Sequence, residues 1–89
     1  MNIGHILWNP DSIGNIARHG IDPTEVEEAC FEGHPFIVKS RLNRYVALGQ
    51  TKSGRYLTVV FQYLRNRQAI IITARAMSQA ERKLYQNRR

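Results

Sequence analysis

The sequence predicts a small α+β domain in which helices flank a four-stranded, mainly antiparallel sheet. Two helix starts with capping signals come first, strand-like alternation fills the middle, and a third capped helix closes the chain. The 89 residues leave room for one hydrophobic core, so we expect a single domain over residues 1–89. A hydrophobic content of 43% is typical of a folded globule and excludes a disordered tail.

The N-terminal third predicts two helices. The first begins at Asn9–Asp11, where a capping side chain stands beside a first-turn proline, and Gly20 is expected to end it. The second begins at Asp22–Glu25, which combines an N-cap acid, a proline and a glutamate three residues on in a capping box. We expect this helix to end near Gly33 and Pro35.

From residue 36 the hydrophobic period changes to two, which predicts strands. The four predicted strands are Phe36–Lys39, Arg44–Thr51, Tyr56–Tyr63 and Ala69–Ala76. Tight turns at 52–55 and 65–67 favour antiparallel neighbours in a meander. Strict alternation along the last strand predicts that Arg75 shares a face with Ile71 and Thr73.

The C-terminal segment predicts a basic helix. A second capping box, Ser78–Glu81, opens it, and we expect it to run to about Asn87. Tyr85 lies four residues after Glu81, so the two side chains share a helix face.

Charge is divided unequally along the chain. Residues 1–38 hold one basic residue and six acids, a net charge of −5, whereas residues 39–89 hold twelve Lys or Arg and one acid, a net charge of +11. Ten of the thirteen cations are arginine, which favours bidentate phosphate contacts. We therefore expect the C-terminal part to attract a polyanion or an acidic partner; the alternative is a solvated basic surface.

Several classes of protein are excluded. The single cysteine, Cys30, rules out an internal disulfide framework and a cysteine zinc cluster. No metal-ligand spacing, phosphate-binding glycine loop or Ser-His-Asp pattern is present, so we expect no cofactor. No apolar run is long enough to span a bilayer and the N-terminus is unlike a secretory signal, so we expect a cytoplasmic protein.

Three groups of residues together resemble the BrnT family of toxins. They are Trp8–Pro10 with Asn15 and Arg18–Ile21, Arg44–Gly49 with Gly54–Val60, and Ile71–Ala76 with Glu81 and Tyr85. Their order and spacing cover nearly the whole chain. The chain departs from the family at Asn9 and Ser12, where Asp and Lys are usual, and after Arg75, which Ala76 follows directly in place of a Lys.

The resemblance implies a RelE/ParE-like fold and a ribonuclease toxin of a type II toxin–antitoxin system that inhibits translation. It also implies a cognate antitoxin, BrnA-like and of the ribbon-helix-helix kind, and contact with operator DNA only through the complex with that antitoxin. RNA is the expected substrate, and its cleavage needs no metal. The alternative is a non-catalytic module that binds nucleic acid or the antitoxin.

RNA cleavage without metal needs a base for the 2′-hydroxyl, cations for the phosphorane charge and an acid for the leaving oxygen. The candidates are His19, Arg44, Arg75, Glu81 and Tyr85. For each of them a structural role is the alternative: a helix-end histidine, arginines in internal salt bridges with Glu81 or an acid of the second helix, an N3 cap, and a tyrosine packed on the sheet.

Basic residues at the two predicted hairpin tips and on the last helix are candidates for RNA phosphate contacts. They are Lys52, Arg55, Arg65, Arg67, Arg82 and Lys83. Solvated turns explain the hairpin cations equally well, and the helix cations could instead bind an acidic segment of the antitoxin or nothing.

Overall fold

Five strands and three α-helices make up the fold, in a computed structural model that describes residues 2–32 and 34–88. Their bounds are β1 His5–Leu7, α1 Pro10–Ala17, α2 Pro23–Glu27, β2 Phe36–Lys39, β3 Arg44–Gln50, β4 Tyr56–Tyr63, β5 Gln68–Ala76 and α3 Gln79–Gln86. A π-helical turn, Glu28–Glu32, extends α2, and a 3₁₀ turn, Arg65–Arg67, joins β4 to β5. The α+β class is as the sequence predicts.

The sheet is mixed and has the strand order β1-β5-β4-β3-β2. The four strands from β2 to β5 form the predicted antiparallel meander, and β1 adds to its edge parallel to β5, with Ile6 opposite Ala69. The prediction of four strands is therefore wrong in number. A three-residue strand is too short to show the alternation of side chains by which strands are recognised in a sequence.

The helix starts follow the predicted capping signals. Asn9 caps α1 by accepting a hydrogen bond from the Ser12 amide, and both predicted capping boxes are formed, by Asp22 with Glu25 and by Ser78 with Glu81. The helix ends also follow the prediction. Gly20 has a φ of 70°, and its amide donates to the carbonyl of Ala17, so it ends α1 in the C′ position. The π-helical turn carries α2 on to Glu32, next to Gly33, which lies outside the described residues.

Two departures from the family pattern have structural roles at the start of α1. Asn9 serves as the N-cap, which an aspartate also does well. Ser12 is buried, and its hydroxyl donates a hydrogen bond to the carbonyl of Ile71 on β5. Asn15 donates from its amide to the next carbonyl, that of Ile72, at 3.0 Å. The helix is thus fixed along β5 by polar bonds to the strand backbone.

The core lies between α1, α2 and one face of the sheet. Its largest fully buried side chains include Ile16, Leu57, Phe61 and Ile71. Gly49 lets the π-helical turn approach β3, because a Cβ atom there would stand 2.4 Å from the carbonyl oxygen of Ala29. The opposite face of the sheet is covered at one end by α3.

A bulge in β5 changes which side chains share a face. The register with β4 shifts between Val60 and Phe61: Val60 lies opposite Thr73 and Phe61 opposite Ile71, so Ile72 is the extra residue. As a result Ile71 joins the core face, while Thr73 and Arg75 lie on the other. The predicted grouping of Ile71 with Arg75 is wrong because alternation assumes an unbroken ladder.

Candidate active site

Arg75 and Glu81 form a bidentate ion pair where β5 ends and α3 begins. The guanidinium Nη1 and Nη2 atoms lie 2.7 and 2.8 Å from the Glu81 Oε1 and Oε2 atoms. The carboxylate also accepts hydrogen bonds from the Thr58 hydroxyl at 3.0 Å and the Ser78 amide at 2.9 Å. Arg75 and Glu81 therefore hold each other in place, and Thr58 and Ser78 fix the carboxylate further.

The positions of these groups follow from register and capping. Thr58 stands directly opposite Arg75 in the β4–β5 ladder, so their side chains share a face. Only Met77 and Ser78 separate β5 from α3, and the capping box turns Glu81 back toward that face. The sequence offered a salt bridge to Glu81 as one of two alternatives for Arg75, and the structure forms it.

The pair alters the proton affinity of both groups. Hydrogen bonding from Arg75 lowers the pKa of Glu81 from its ordinary value to about 2, although partial burial opposes the change. The same hydrogen bond raises the pKa of Arg75. Glu81 is therefore a carboxylate at neutral pH and holds its proton too weakly for efficient general base catalysis.

Acid should weaken the fold through Glu81. The pKa of Glu81 is lower in the folded chain than in the unfolded one, so its contribution is fully present above about pH 4.5 and is lost toward pH 2. Between these values we expect the parent to lose about 1–2 kcal/mol more unfolding free energy than Glu81→Gln, after allowance for solvent screening. Urea unfolding at pH 7, 5, 3.5 and 2.5 measures this difference.

The control for that experiment is Glu32→Gln, which removes an exposed carboxylate that lies 3.4 Å from Lys52. Exposed pairs contribute little to stability, so this variant should follow the acid curve of the parent. Equal acid sensitivity in Glu81→Gln and the parent would show that the ion pair does not stabilise the fold.

Tyr85 packs under α3 one helical turn beyond Glu81. It is 5% exposed, and its ring stands edge-on to that of Tyr56 with centroids 6.0 Å apart. The packing of the ring on the sheet agrees with the structural alternative for this residue. Arg82 lies on the same helix, with its guanidinium carbon 4.1 Å from the centroid of the Tyr56 ring.

His19 follows the end of α1 on the core side of the sheet, whereas Arg75 lies on the opposite face at the same end of β5. The bonds of Ser12 to Ile71 and of Asn15 to Ile72 show that α1 runs in the direction of β5. The advance from Ser12 to His19 is about 10 Å and that from Ile71 to Arg75 about 13 Å, so both reach a similar level. His19 is exposed. A groove of about 320 Å³ opens at this end of the sheet beside Ala76.

This chain is similar to known ribonuclease toxins. The family described as the ribonuclease toxin BrnT of type II toxin–antitoxin systems matches residues 8–81. The chain belongs to the BrnT family. Members of this family are ribonuclease toxins, and neutralisation by an antitoxin is general among them.

A solved structure agrees with the family assignment. The crystal structure of the ribonuclease toxin BrnT of Brucella abortus matches with a TM-score of 0.68 and 26% sequence identity. The match covers 84% of this chain and 97% of the Brucella chain. A search of curated proteins gave no match.

The other predicted residues of this BrnT chain fall into two groups. Arg44 and the turn cations Arg65 and Arg67 lie at the end of the sheet opposite to α3, all exposed. Arg44 and Arg75 lie on opposite sides of β4 and four residues apart along it, so about 17 Å separates their Cα atoms. A shared grip of these two arginines on one phosphate stays a prediction.

At the α3 end, acids of the N-terminal half partly neutralise the cations of the β3–β4 turn. Arg55 lies 2.9 Å from Glu25 and also donates to the carbonyl of Gly20, beside His19. Lys52 lies 3.4 Å from Glu32. The unequal charge division along the chain therefore does not produce two separate surfaces. Arg82 and Lys83 are exposed on α3.

The sequence did not reveal Thr58 or Tyr56 as site residues. Thr58 is 1% exposed, and its hydroxyl points to the Glu81 carboxylate. A threonine directly opposite Arg75 would have indicated a site residue, but this pairing is known only once the β4–β5 register is known. Tyr56 begins the same strand, and hydrogen bonds from Gln86 and Arg82 lower the pKa of its phenol.

Three further findings concern metals, membranes and the cysteine. Among residues 2–32 and 34–88, no three His, Cys, Asp or Glu residues lie close enough together to hold a metal ion. No helix in the same residues is long and apolar enough to cross a bilayer. Cys30 is buried, which raises the pKa of its thiol to about 12 and favours a packing role.

Proposed function

We propose that this protein is a metal-independent endoribonuclease whose catalytic centre lies where β5 ends and α3 begins. The observation that carries the proposal is the guanidinium of Arg75, held by a carboxylate that is itself fixed by Thr58 and Ser78. A fixed cation that needs no rearrangement is what stabilises a developing phosphorane charge. Family membership supplies the reaction class.

The ion pair with Glu81 leaves part of Arg75 for RNA. A guanidinium has five N–H donors arranged so that two different edges each present a pair. Glu81 takes the edge formed by Nη1 and Nη2, and Nη1 also donates to the carbonyl of Ala76 at 3.2 Å. The edge formed by Nε and Nη2 remains, and its spacing suits a phosphate. The internal salt bridge and the phosphate contact are therefore compatible.

We assign the roles of the centre as follows. Arg75 binds the scissile phosphate, and Glu81 and Thr58 position it. His19 moves the proton, because imidazole exchanges protons near neutral pH whereas Glu81 holds its proton too weakly. Tyr85 is proposed to support α3 beside the centre. Arg44, at the far end of the sheet, is proposed to contact RNA away from the cleaved bond.

The wider setting follows from the family. We propose that a BrnA-like antitoxin of the ribbon-helix-helix kind neutralises the protein, and that their complex, not the toxin alone, binds operator DNA. We further propose a RelE/ParE-like fold, inhibition of translation through RNA cleavage, and action in the cytoplasm, where the RNA substrate is found. Exposed cations on the turns and on α3, among them Arg65, Arg67 and Lys83, would attract that RNA.

The test is cleavage of a defined single-stranded RNA by the purified protein in excess EDTA. We expect two fragments, the upstream one ending in a 2′,3′-cyclic phosphate, because the 2′-hydroxyl is the nucleophile. Substitution of a 2′-O-methyl group at the cleaved nucleotide should abolish the reaction. If the protein binds the RNA but does not cut it, either with or without ribosomes, the non-catalytic binding module is favoured. In that case the ion pair of Glu81 with Arg75 has only a structural role.

A further inference from the structure

Two arginines and two tyrosines form a continuous stack where α3 lies over the start of β4. The guanidinium carbon of Arg82 is 4.1 Å from the Tyr56 ring centroid, and that of Arg88 is 3.7 Å from the Tyr85 centroid. Between them the two rings meet edge to face at 76°. We call Arg82, Tyr56, Tyr85 and Arg88 the Arg–Tyr stack.

The stack holds both guanidinium groups against the rings before any ligand arrives. Arg82 and Tyr85 are three residues apart on α3 and so share one face, and Arg88 lies just beyond the end of the helix. Arg88 is fixed further, since its guanidinium donates to the carbonyls of Tyr85 and His34. Cation–π contacts of this kind restrict the side chain and leave outward N–H groups for a partner.

A cleft of about 420 Å³ lies beside the stack, and we call it the α3 cleft. Tyr56, Tyr85 and Arg88 form one side, while Gln50 and Lys52 of the β3–β4 hairpin form another. Its volume is in the range of small-ligand sites. Lys52 is paired with Glu32 at 3.4 Å, so the remaining positive charge comes from Arg88, which lines the cleft, and from Arg82, which lies next to it on the Tyr56 ring.

We propose that this surface binds one nucleotide of single-stranded RNA, with its base in the α3 cleft beside Tyr56 and Arg88 and its phosphate on Arg82, which lies on the Tyr56 ring next to the cleft. This inference rests on the proposed function and deepens it. Tyr56 lies two residues before Thr58 on the same face of β4, about 7 Å away. The nucleotide in the cleft is therefore adjacent to the phosphodiester that Arg75 holds.

The chemistry of the cleft selects a nucleotide. Single-stranded RNA is recognised by stacking of unpaired bases on aromatic rings or guanidinium planes, together with hydrogen bonds to base edges. The half-buried Tyr56 and the guanidinium of Arg88 offer such surfaces, and the amides of Gln50 and Gln86, which line the cleft, are donors and acceptors for a base edge. A duplex keeps its bases stacked and lacks the unpaired base that this arrangement fits.

The test measures binding of a single-stranded 2′-O-methyl tetranucleotide, which cannot be cleaved, by fluorescence anisotropy over a range of salt concentrations. Arg82→Gln should weaken binding about tenfold and reduce the salt slope by about 0.7, as expected for one lost phosphate contact. Tyr56→Leu should weaken it about tenfold through lost stacking. Arg82→Lys, which keeps charge and helix, should weaken it about threefold.

The matched control is Arg41→Gln, which removes the same charge from an exposed side chain in the β2–β3 turn at the other end of the sheet. It should change affinity less than twofold. Equal losses in Arg82→Gln and Arg41→Gln would show general attraction to a basic surface and overturn the proposal. Retained oligonucleotide binding with lost antitoxin binding in the stack variants would assign the cleft to the protein partner and also overturn it.

Failure of the proposed function is distinguishable from failure of this inference. If the parent shows these binding effects but cuts no RNA, the nucleotide site stands and the ribonuclease does not. If the parent cuts RNA and the stack variants bind and cut as it does, the ribonuclease stands and the nucleotide site does not. Thermal unfolding of each variant establishes that the comparison is between folded proteins.

Discussion

Replacing Arg75 with alanine is expected to slow RNA cleavage by about a hundredfold or more while the protein stays folded. Loss of one preorganised donor to a developing oxyanion costs about 10²–10³ in rate. The cost in stability should be below about 2 kcal/mol, because the ion pair is partly exposed, at 42% for the Arg75 side chain, and Glu81 keeps Thr58 and Ser78 as partners. Single-turnover cleavage of a defined RNA measures the effect.

Two further variants separate the role of Arg75 from charge and from folding. Arg75→Lys keeps the charge but cannot hold Glu81 and a phosphate on two edges at once, so cleavage should still fall at least about tenfold. Arg41→Ala removes an exposed arginine far from α3 and should cut at the rate of the parent. A rate for Arg75→Ala within threefold of the parent would remove Arg75 from the mechanism.

The sequence predicted those parts of the fold that depend on local signals. The limits of β2 and β4 and both capping boxes agree with the structure, because alternation and capping need only neighbouring residues. The position of β1 at the edge depends on its pairing with β5, and the bulge at Ile72 depends on the β4 register. Neither is encoded within a short window of sequence, so both escaped prediction.

The candidate site was predictable to the same extent. The capping box fixed Glu81 near the end of β5, which made its pairing with Arg75 one of the stated alternatives. The separation of Arg44 from Arg75 follows from strand order and register, which the residues do not show locally. Thr58 and the Arg–Tyr stack likewise require that β4 and α3 be brought together. Long-range placement is what the sequence alone leaves open.

His19→Ala should lower cleavage about a hundredfold or more and change its pH dependence. Positioned acid–base groups contribute about 10²–10⁴ in rate, and imidazole is the side chain that ordinarily changes charge between pH 5 and 8. We therefore expect the parent rate to vary with pH in that range and the His19→Ala rate to lose this dependence. Rates measured from pH 5 to 9 at saturating RNA test the expectation.

The pH profiles of the other variants distinguish proton transfer from positioning. Glu81→Gln should cut more slowly through a misplaced Arg75, yet keep the pH dependence of the parent, since a pKa of about 2 lies below the measured range. His5→Ala, which removes an exposed histidine from β1, should match the parent in rate and profile. The opposite result is that His19→Ala keeps the pH profile of the parent and loses only about 0.5 kcal/mol of unfolding free energy. His19 would then be a structural residue that interacts favourably with the dipole of α1, and not a catalytic one.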